Sequence, residues 1–413
     1  MHVAVIGGGL VGLACVHALL DEGHMVTLVE PGAEPGRPSD GNAGWIAHVD
    51  ILPLASPKVW RNLPRWLFDP LGPLSIRPAH LPRLLPWLAR FVAASSPARI
   101  AGSSRAIRAL NAMALPAWER RLDGLGLADH LRRAGQLSVW SSERAFAAAR
   151  ATLDTQRCLG IAVEFLDRQG IAGIEPALGP RAAAGALYHD MLHVADPAHL
   201  TAALRDRAFA RQCRHVDGRA QGVVPTPDGV RIQVEGNRMV AASACVIAAG
   251  IWSRPLAAAV GDPVPLDTER GYNVTLPPGT LGLTRPVAYE GEGFVTTPLD
   301  TGDRVGGAVE FGGLEAAPDM RRVDAILARL RPWLPDLPAQ LPDGPRWMGF
   351  RPSLPDSLPV IGRSAANPRI VHAFGHGHHG LTQAAATAEI VAALIADRPP
   401  PTDPAPYSPA RFR

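Results

Sequence analysis

The chain has 413 residues, 41 Lys plus Arg against 38 Asp plus Glu, and a formal net charge of +3. That length suits two domains rather than one core, and 47% hydrophobic with 19% charged residues excludes global disorder. The near balance of charge leaves no basic footprint for nucleic acid, and no run of about 18 apolar residues could span a bilayer. Lys58 is the single lysine, so a Schiff-base or phosphate-gripping lysine is confined to that position. Cys15, Cys158, Cys213 and Cys245 are scattered, which argues against a disulfide scaffold or structural zinc and for a reducing compartment. Met1-His2-Val3 lacks the basic n-region of a signal peptide. The expected location is cytoplasmic, with peripheral attachment to the inner membrane left open.

Val3-Ala4-Val5-Ile6 predicts a short buried strand, and Gly7, Gly9 and Gly12 follow as G-x-G-x-x-G. Leu10 and Val11 open a helix that runs to Leu20, Gly23 ends it, and Met25 to Glu30 is a second strand closing on an acid. This glycine motif is weak evidence alone; between two strands, with a helix and a terminal carboxylate, it is a dinucleotide-binding fingerprint. Gly7 permits the tight turn, Gly9 the approach of a pyrophosphate, and Gly12 the packing of helix on strand, with the diphosphate at the positive helix end. Glu30 accepts hydrogen bonds from the adenosine ribose hydroxyls and disfavours a 2′-phosphate. FAD and NAD(H) both fit this reading, and the bland alternative is a glycine turn that binds nothing.

From Trp60 to Val92, Trp60, Trp66 and Trp87 lie among leucines and arginines, broken by Pro64, Pro70, Pro73, Pro78, Pro82 and Pro86. The prolines forbid one long helix. Short helices could cover a pocket, rest on a membrane surface or form a subunit contact. Met239 to Gly250 predicts another apolar strand, with Ala249 and Gly250 at its end. Ile370 to Phe374 is a strand leading into Gly375-His376-Gly377-His378-His379-Gly380 and then an Ala-rich helix from Leu381 to Ala396. Three imidazoles within four residues do not converge on one ion, and no neighbouring acid completes a ligand set, so no metal is expected. His189 and His193 read as surface or strand residues.

Several blocks in order resemble the FAD-dependent D-amino-acid oxidase and glycine oxidase superfamily, and in particular bacterial D-amino-acid dehydrogenases. They are Gly7 to Gly12 with Glu30, Gly41-Asn42-Ala43-Gly44, Val194-Ala195-Asp196-Pro197, Ile247 to Gly250, Arg270-Gly271-Tyr272, Trp347 to Pro352 and Gly375 to Thr382. The resemblance covers nearly the whole chain and implies FAD. It places the cofactor on Gly7, Gly9, Leu10, Val11, Gly12, Glu30, Asn42, Ala43, Gly44, Ala249, Gly250, Gly349, Gly377, His378, His379, Gly380, Leu381 and Thr382, with Ala220 at the adenine. It also implies an α/β (α+β overall) fold, in which a Rossmann-like FAD-binding domain of residues 1–50, 190–262 and 346–410 is interleaved with a mixed-sheet substrate-binding domain of 51–189 and 263–345.

In the same resemblance the substrate-carboxylate arginine is Arg351, a role that a planar, permanently charged guanidinium suits on physical grounds; a surface arginine on a Pro-rich turn is the alternative. Phe294 stands where oxidase relatives often carry a tyrosine, and Tyr272 or Tyr289 is the expected replacement. His48, His378 and His379 are expected beside the flavin ring. The implied reaction is oxidation of a D-amino acid, of D-proline or D-hydroxyproline type, to the imino acid by hydride transfer to flavin N5. The absence of any lysine but Lys58 is consistent with electrons passing to a quinone or other carrier. A glycine, sarcosine or opine-type oxidase using O₂, the flavin subunit of a heteromeric complex, and a non-catalytic nucleotide-binding regulator are the alternatives. A homo-oligomer is compatible with all of them.

Overall fold

The computed structural model describes residues 1–32, 37–55, 69 and 71–413. Lys58, Trp60 and Trp66 lie outside the described residues. The first sheet has six strands in the order Arg214–Asp217, Met25–Glu30, His2–Ile6, Ala244–Ile247, Ile370–Phe374 and Val360–Arg363. All pairs are parallel except the last. The inner strands are buried along their length, as a parallel sheet covered on both faces requires. The helices Leu10–Asp21 and Gly380–Ile395 pack together over one face, with Pro97–Leu125 outside them. Small residues, Ala14 on one helix and Ala384, Ala385 and Ala388 on the other, allow that close approach within one core.

Met239 to Gly250, expected as a single strand, is two. Arg238–Ala242 pairs antiparallel with Gly229–Val234 in a three-stranded sheet, while Ala244–Ile247 enters the parallel sheet. Ser243 marks the change, its N–H donating to the His2 carbonyl. A continuous apolar run carries no periodicity that could reveal a switch between sheets.

The second large sheet has nine strands, Arg346–Ser353, Asp267–Leu276, Gly302–Phe311, Phe294–Leu299, Val287–Tyr289, Gln136–Trp140, Ala184–Tyr188 and Glu164–Asp167, with Leu74–Ile76 added on Gly302–Phe311. The helix Leu81–Ala94 lies against it and runs through Pro86, where the sequence suggested a break. Pro82 occupies the first turn, where no amide donor is needed. Beyond it, Leu84, Trp87 and Phe91 bury themselves with Phe311 and Ala55, which holds the turn despite the donor missing at Pro86.

Asp267–Leu276 and Gly302–Phe311 are out of step: Tyr272 faces Gly307 but Arg270 faces Glu310. The extra residue makes a bulge at Ala308, whose φ of 55° is left-handed. This bulge brings Glu310 to three guanidiniums and a phenol. It accepts from Tyr272 Oη at 2.7 Å and Arg77 Nε at 2.9 Å, with Arg322 Nε at 3.4 Å and Arg270 Nη1 at 3.5 Å. One buried carboxylate therefore faces Arg270 and Arg322, which are also buried, and the part-exposed Arg77. Removing its charge strands those cations, so Glu310→Gln should destabilise the fold by about 3–5 kcal/mol, measured by chemical denaturation. Burial opposes the charge of Glu310, but the bonds from Arg77 and Tyr272 and the field of Arg322 hold its carboxyl below the ordinary 4.5. A depressed folded-state value means that this stabilisation is complete above the ordinary value and is lost as pH falls through the folded one. Wild type should therefore lose stability in acid more steeply than Glu310→Gln; parallel acid profiles for the two proteins would refute the assignment.

Candidate active site

The carboxyl ends of the parallel strands and the nine-stranded sheet enclose a cavity of about 610 Å³, within the usual range of ligand sites. At one end the strand His2–Ile6 turns into the helix Leu10–Asp21. Gly7 has φ 106°, and a Cβ on Gly12 would lie 1.8 Å from the Gly7 carbonyl oxygen, so the turn admits no side chain at either position. The first bond of the helix is Leu13 N–H to Gly9 O, which leaves the Val11 and Gly12 amides ahead of it at the positive helix end. Ser39 Oγ accepts from the Leu10 amide at 3.0 Å. Glu30, buried at the end of its strand, accepts from Gly8 N–H at 2.6 Å and pairs with Arg37 at 2.6 Å. Burial raises its carboxyl above the ordinary value, against the pull of Arg37 and the Gly8 amide. A glycine cradle with a helix terminus for a diphosphate, beside a carboxylate for ribose hydroxyls, fits the adenosine diphosphate half of FAD.

The loop Gly41 to Gly44 is held in place by the other sheet. Asn273 Nδ2 donates to Gly41 O at 2.8 Å, Arg304 Nη1 to Asn42 O at 2.6 Å, and Thr297 Oγ1 to Ala43 O at 2.7 Å. Asn42 folds back to accept from Gly44 N–H at 2.7 Å. On the opposite side, Ala249, Gly250, Gly377, His378, Gly380 and Leu381 line the cavity, as do Gly7, Gly9, Leu10, Val11, Glu30, Asn42 and Ala43.

Arg351 comes from the strand Arg346–Ser353, where it pairs with Glu269. Facing residues of paired strands share a face, so Glu269, Gly271 and Arg351 lie on one side of the sheet. A Cβ on Gly271 would sit 2.4 Å from Arg351 Nη2, so glycine there makes the room for the guanidinium. Among the described residues that guanidinium makes one hydrogen bond, from Nη1 to the Ala308 carbonyl at 3.4 Å, and no carboxylate of theirs is within ion-pair distance. Burial pulls Arg351 below its ordinary value and Glu269 pushes it back; a guanidinium in this position remains charged. Its remaining donors face a cavity also lined by Leu74, Tyr272, Tyr289, Phe294 and Val309.

Other expected residues take different places. Tyr272 lines the cavity with its ring, but its hydroxyl donates to Glu310, so the phenol is not the carboxylate donor anticipated for it. Tyr289 lines the cavity too, its hydroxyl 3.3 Å from Thr296 Oγ1. His48 is outside the lining, with Nδ1 3.4 Å from Ile46 O. Gly44, Gly349, Ala220, His379 and Thr382 are outside it as well. A Cβ on Gly349 would fall 2.0 Å from the Trp347 ring, so that glycine seats an indole that itself lines the cavity. Ala220 begins an antiparallel strand, and Thr382 Oγ1 accepts from Ala47 N–H at 3.0 Å. His193 is buried in the strand Leu192–Val194, and His189 is on the surface with Glu164.

The expectation that no acid stands near the histidine turn is overturned: Asp50 Oδ2 is 3.4 Å from His378 Nε2. His376 is buried, with Nε2 3.0 Å from Thr387 Oγ1, and burial lowers it to about 3. Arg37, Ser39, Trp252, Asn273, Arg304 and Trp347 line the cavity without having been singled out for it. Their places depend on loop closure and sheet pairing, for which no local pattern stands in the sequence.

Residues 2–394 match the family described as FAD dependent oxidoreductase, DAO. The chain is 37% identical over 424 residues to a D-amino-acid oxidase of Bradyrhizobium diazoefficiens, spanning 100% of this chain and 99% of that protein. It is 32% identical over 429 residues to D-amino acid dehydrogenase 2 of Ralstonia nicotianae, spanning 100% of both. The glycine oxidase of Geobacillus kaustophilus shares the fold, with a TM-score of 0.74 at 23% identity over 98% of this chain and 97% of that one. The chain belongs to the DAO family of FAD dependent oxidoreductases.

Proposed function

We propose that the protein oxidises a D-amino acid to its imino acid and passes the electrons to a quinone or another carrier. The observation that carries this reading is Arg351: a charged guanidinium at the cavity, with one long hydrogen bond and no carboxylate partner among the described residues. Such a group is poised for a substrate carboxylate. Leu74, Tyr289, Phe294 and Val309 give the cavity a stretch of uncharged wall, with Glu290 also in the lining; that stretch suits an apolar side chain or the ring of a D-proline or D-hydroxyproline. Bound FAD supplies the two-electron acceptor. The chain's part is to fix the carboxylate at Arg351 and to exclude water with the apolar walls; no side-chain base is needed when the amine arrives neutral. The relatives named D-amino-acid dehydrogenase and D-amino-acid oxidase support the substrate class. The 37% identity to an oxidase favours a second reading in which O₂ is the acceptor.

By this proposal residues 1–50, 190–262 and 346–410 hold the cofactor, and 51–189 with 263–345 form the substrate domain. The strand carrying Arg351 is the exchange point, because it pairs into the nine-stranded sheet. No helix of the described residues is long and apolar enough to cross a membrane. The helix Leu81–Ala94 nevertheless turns Leu81, Leu85 and Val92 outward. Residues 70–118 contain six arginines (Arg77, Arg83, Arg90, Arg99, Arg105 and Arg108) and no acid. An apolar outer face flanked by Arg83 and Arg90 suits an anionic membrane surface, where a quinone would be met.

Anaerobic titration of the yellow holoenzyme with D- and L-amino acids should bleach the flavin with D-substrates, and failure of every candidate would defeat the reading. Arg351→Ala should raise the half-saturating concentration roughly 10²- to 10³-fold, the loss of two charge-assisted hydrogen bonds of about 2 kcal/mol each. An unchanged half-saturation would remove Arg351 from the carboxylate. Rapid peroxide formation under air would select the oxidase reading; slow peroxide with fast quinone reduction would select the carrier. Flotation with anionic but not neutral liposomes, lost in Leu85→Glu, is expected for the outer helix face; no flotation would leave quinone reduction without that surface.

A further inference from the structure

We propose that Asp50, His378 and His379 form a binding site for a divalent d-block ion of the Zn²⁺ class at the rim of the cofactor cavity. One ligand atom from each residue lies within 4.8 Å of the other two, and Asp50 Oδ2 is already 3.4 Å from His378 Nε2. Ligands on a tetrahedral zinc with bonds of about 2.0–2.1 Å stand roughly 3.3 Å apart, so the Asp50–His378 pair is already at that spacing and the His379 ligand atom has up to about 1.5 Å to close. Two imidazoles with one carboxylate suit zinc and its neighbours. The same set is poor for Ca²⁺ or Mg²⁺, which take oxygen ligands throughout.

A second observation, independent of the spacing, points the same way. His379 is 2% exposed, and neither Nδ1 nor Nε2 has a hydrogen-bond partner. Burying an imidazole with both nitrogens unbonded is costly, and native proteins give nearly all such groups a partner. The ring centroid of His379 is 4.1 Å from that of His378, the two planes tilted by 42°, which keeps the two imidazoles side by side. Asp50 reaches the pair from the loop after the strand Trp45–Ile46, and the histidines from the turn ahead of the helix Gly380–Ile395. An ion here would staple the two sequence-distant segments that meet at the cavity, where Asp50 and His378 both line the wall. Three protein ligands leave a coordination position open to water or to another small donor. The assignment does not depend on which amine is oxidised.

The test uses the FAD-loaded protein, stripped with a chelator and dialysed against Zn²⁺, with metal content and Tm as readouts. One zinc should be retained saturably per chain and should raise Tm, as ligand linkage requires. Asp50→Ala and His378→Ala, both at exposed positions, should each weaken retention roughly tenfold or more. His189→Ala, which alters a surface histidine, should not. Co²⁺ in place of Zn²⁺ should give visible d–d absorption in wild type that is absent in Asp50→Ala. Zinc retention equal in wild type, Asp50→Ala and His378→Ala, or no saturable retention at all, would overturn the proposal. Neither readout involves turnover, so loss of this site and loss of the amine-oxidation reading would be told apart.

Discussion

The cavity exists because an irregular loop belonging to neither large sheet is held at both ends by hydrogen bonds. Glu30 and Ser39 tie the start of the nucleotide helix to the segment that follows the second strand. Asn273, Thr297 and Arg304, from three strands of the nine-stranded sheet, take the carbonyls of Gly41, Ala43 and Asn42. Carbonyls left unpaired in a buried loop would each cost about 1–3 kcal/mol, so these side chains replace the ladder that the loop cannot form for itself. The second sheet thereby positions the loop Gly41 to Gly44 as well as the cavity wall around Arg351.

The same sheet sorts positive charge by what each guanidinium meets. Arg304 spends its donors on loop carbonyls and the Thr275 hydroxyl, and Arg270 and Arg322 share Glu310 behind the Tyr272 ring. Arg351, one strand away, has a single hydrogen-bond partner among the described residues, the Ala308 carbonyl. That difference arises from the bulge. The extra residue at Ala308 shifts Glu310 toward Arg270 and Tyr272 and turns a backbone carbonyl toward Arg351. A regular ladder would have no reason to separate a neutralised cluster from a cation left for a ligand. Backbone conformations that side chains rarely adopt persist where the surrounding structure enforces them, often at sites of function.

What the sequence disclosed follows the range of the forces involved. The first strand, glycine turn, helix and Glu30 are local, and residues 2 to 30 are legible almost to the residue. The C-terminal strand and Ala-rich helix are similarly plain. Arg351 could be singled out only through the resemblance of the Trp347 to Pro352 block, with Trp347, Phe350 and Pro352 arguing against a surface role, and the strand it occupies is indeed in a sheet. Tyr272 illustrates the limit: its type and block suggested a substrate hydroxyl, yet its partner Glu310 lies 38 residues away and is reached only through the bulge. Asp50 illustrates the opposite failure. Nothing in Gly375 to Gly380 announces an acid, because the acid arrives from a loop more than 300 residues earlier. Gly349 was assigned to the cofactor when its task is to seat an indole, a distinction between close approach to ligand and to protein that glycine alone does not encode.

The choice between oxygen and a carrier as electron acceptor turns on features of different kinds. At the cavity the charged and titratable groups include Arg304, Arg351 and the His378–Asp50 pair. Access to a carrier depends on the outside of the molecule, where residues 70–118 hold arginine without acid and the helix Leu81–Ala94 exposes leucine and valine. The two are joined through Leu74–Ile76, since that strand pairs with Gly302–Phe311 and immediately precedes the outer helix. Leu74–Ile76 thus lies between the outer helix and the wall that carries Ala308 and Val309. An outer face altered at Leu85 and a cavity altered at Arg351 should then depart from additivity by less than a change at Leu74 would, because Leu74 itself lines the cavity and pairs with Val309.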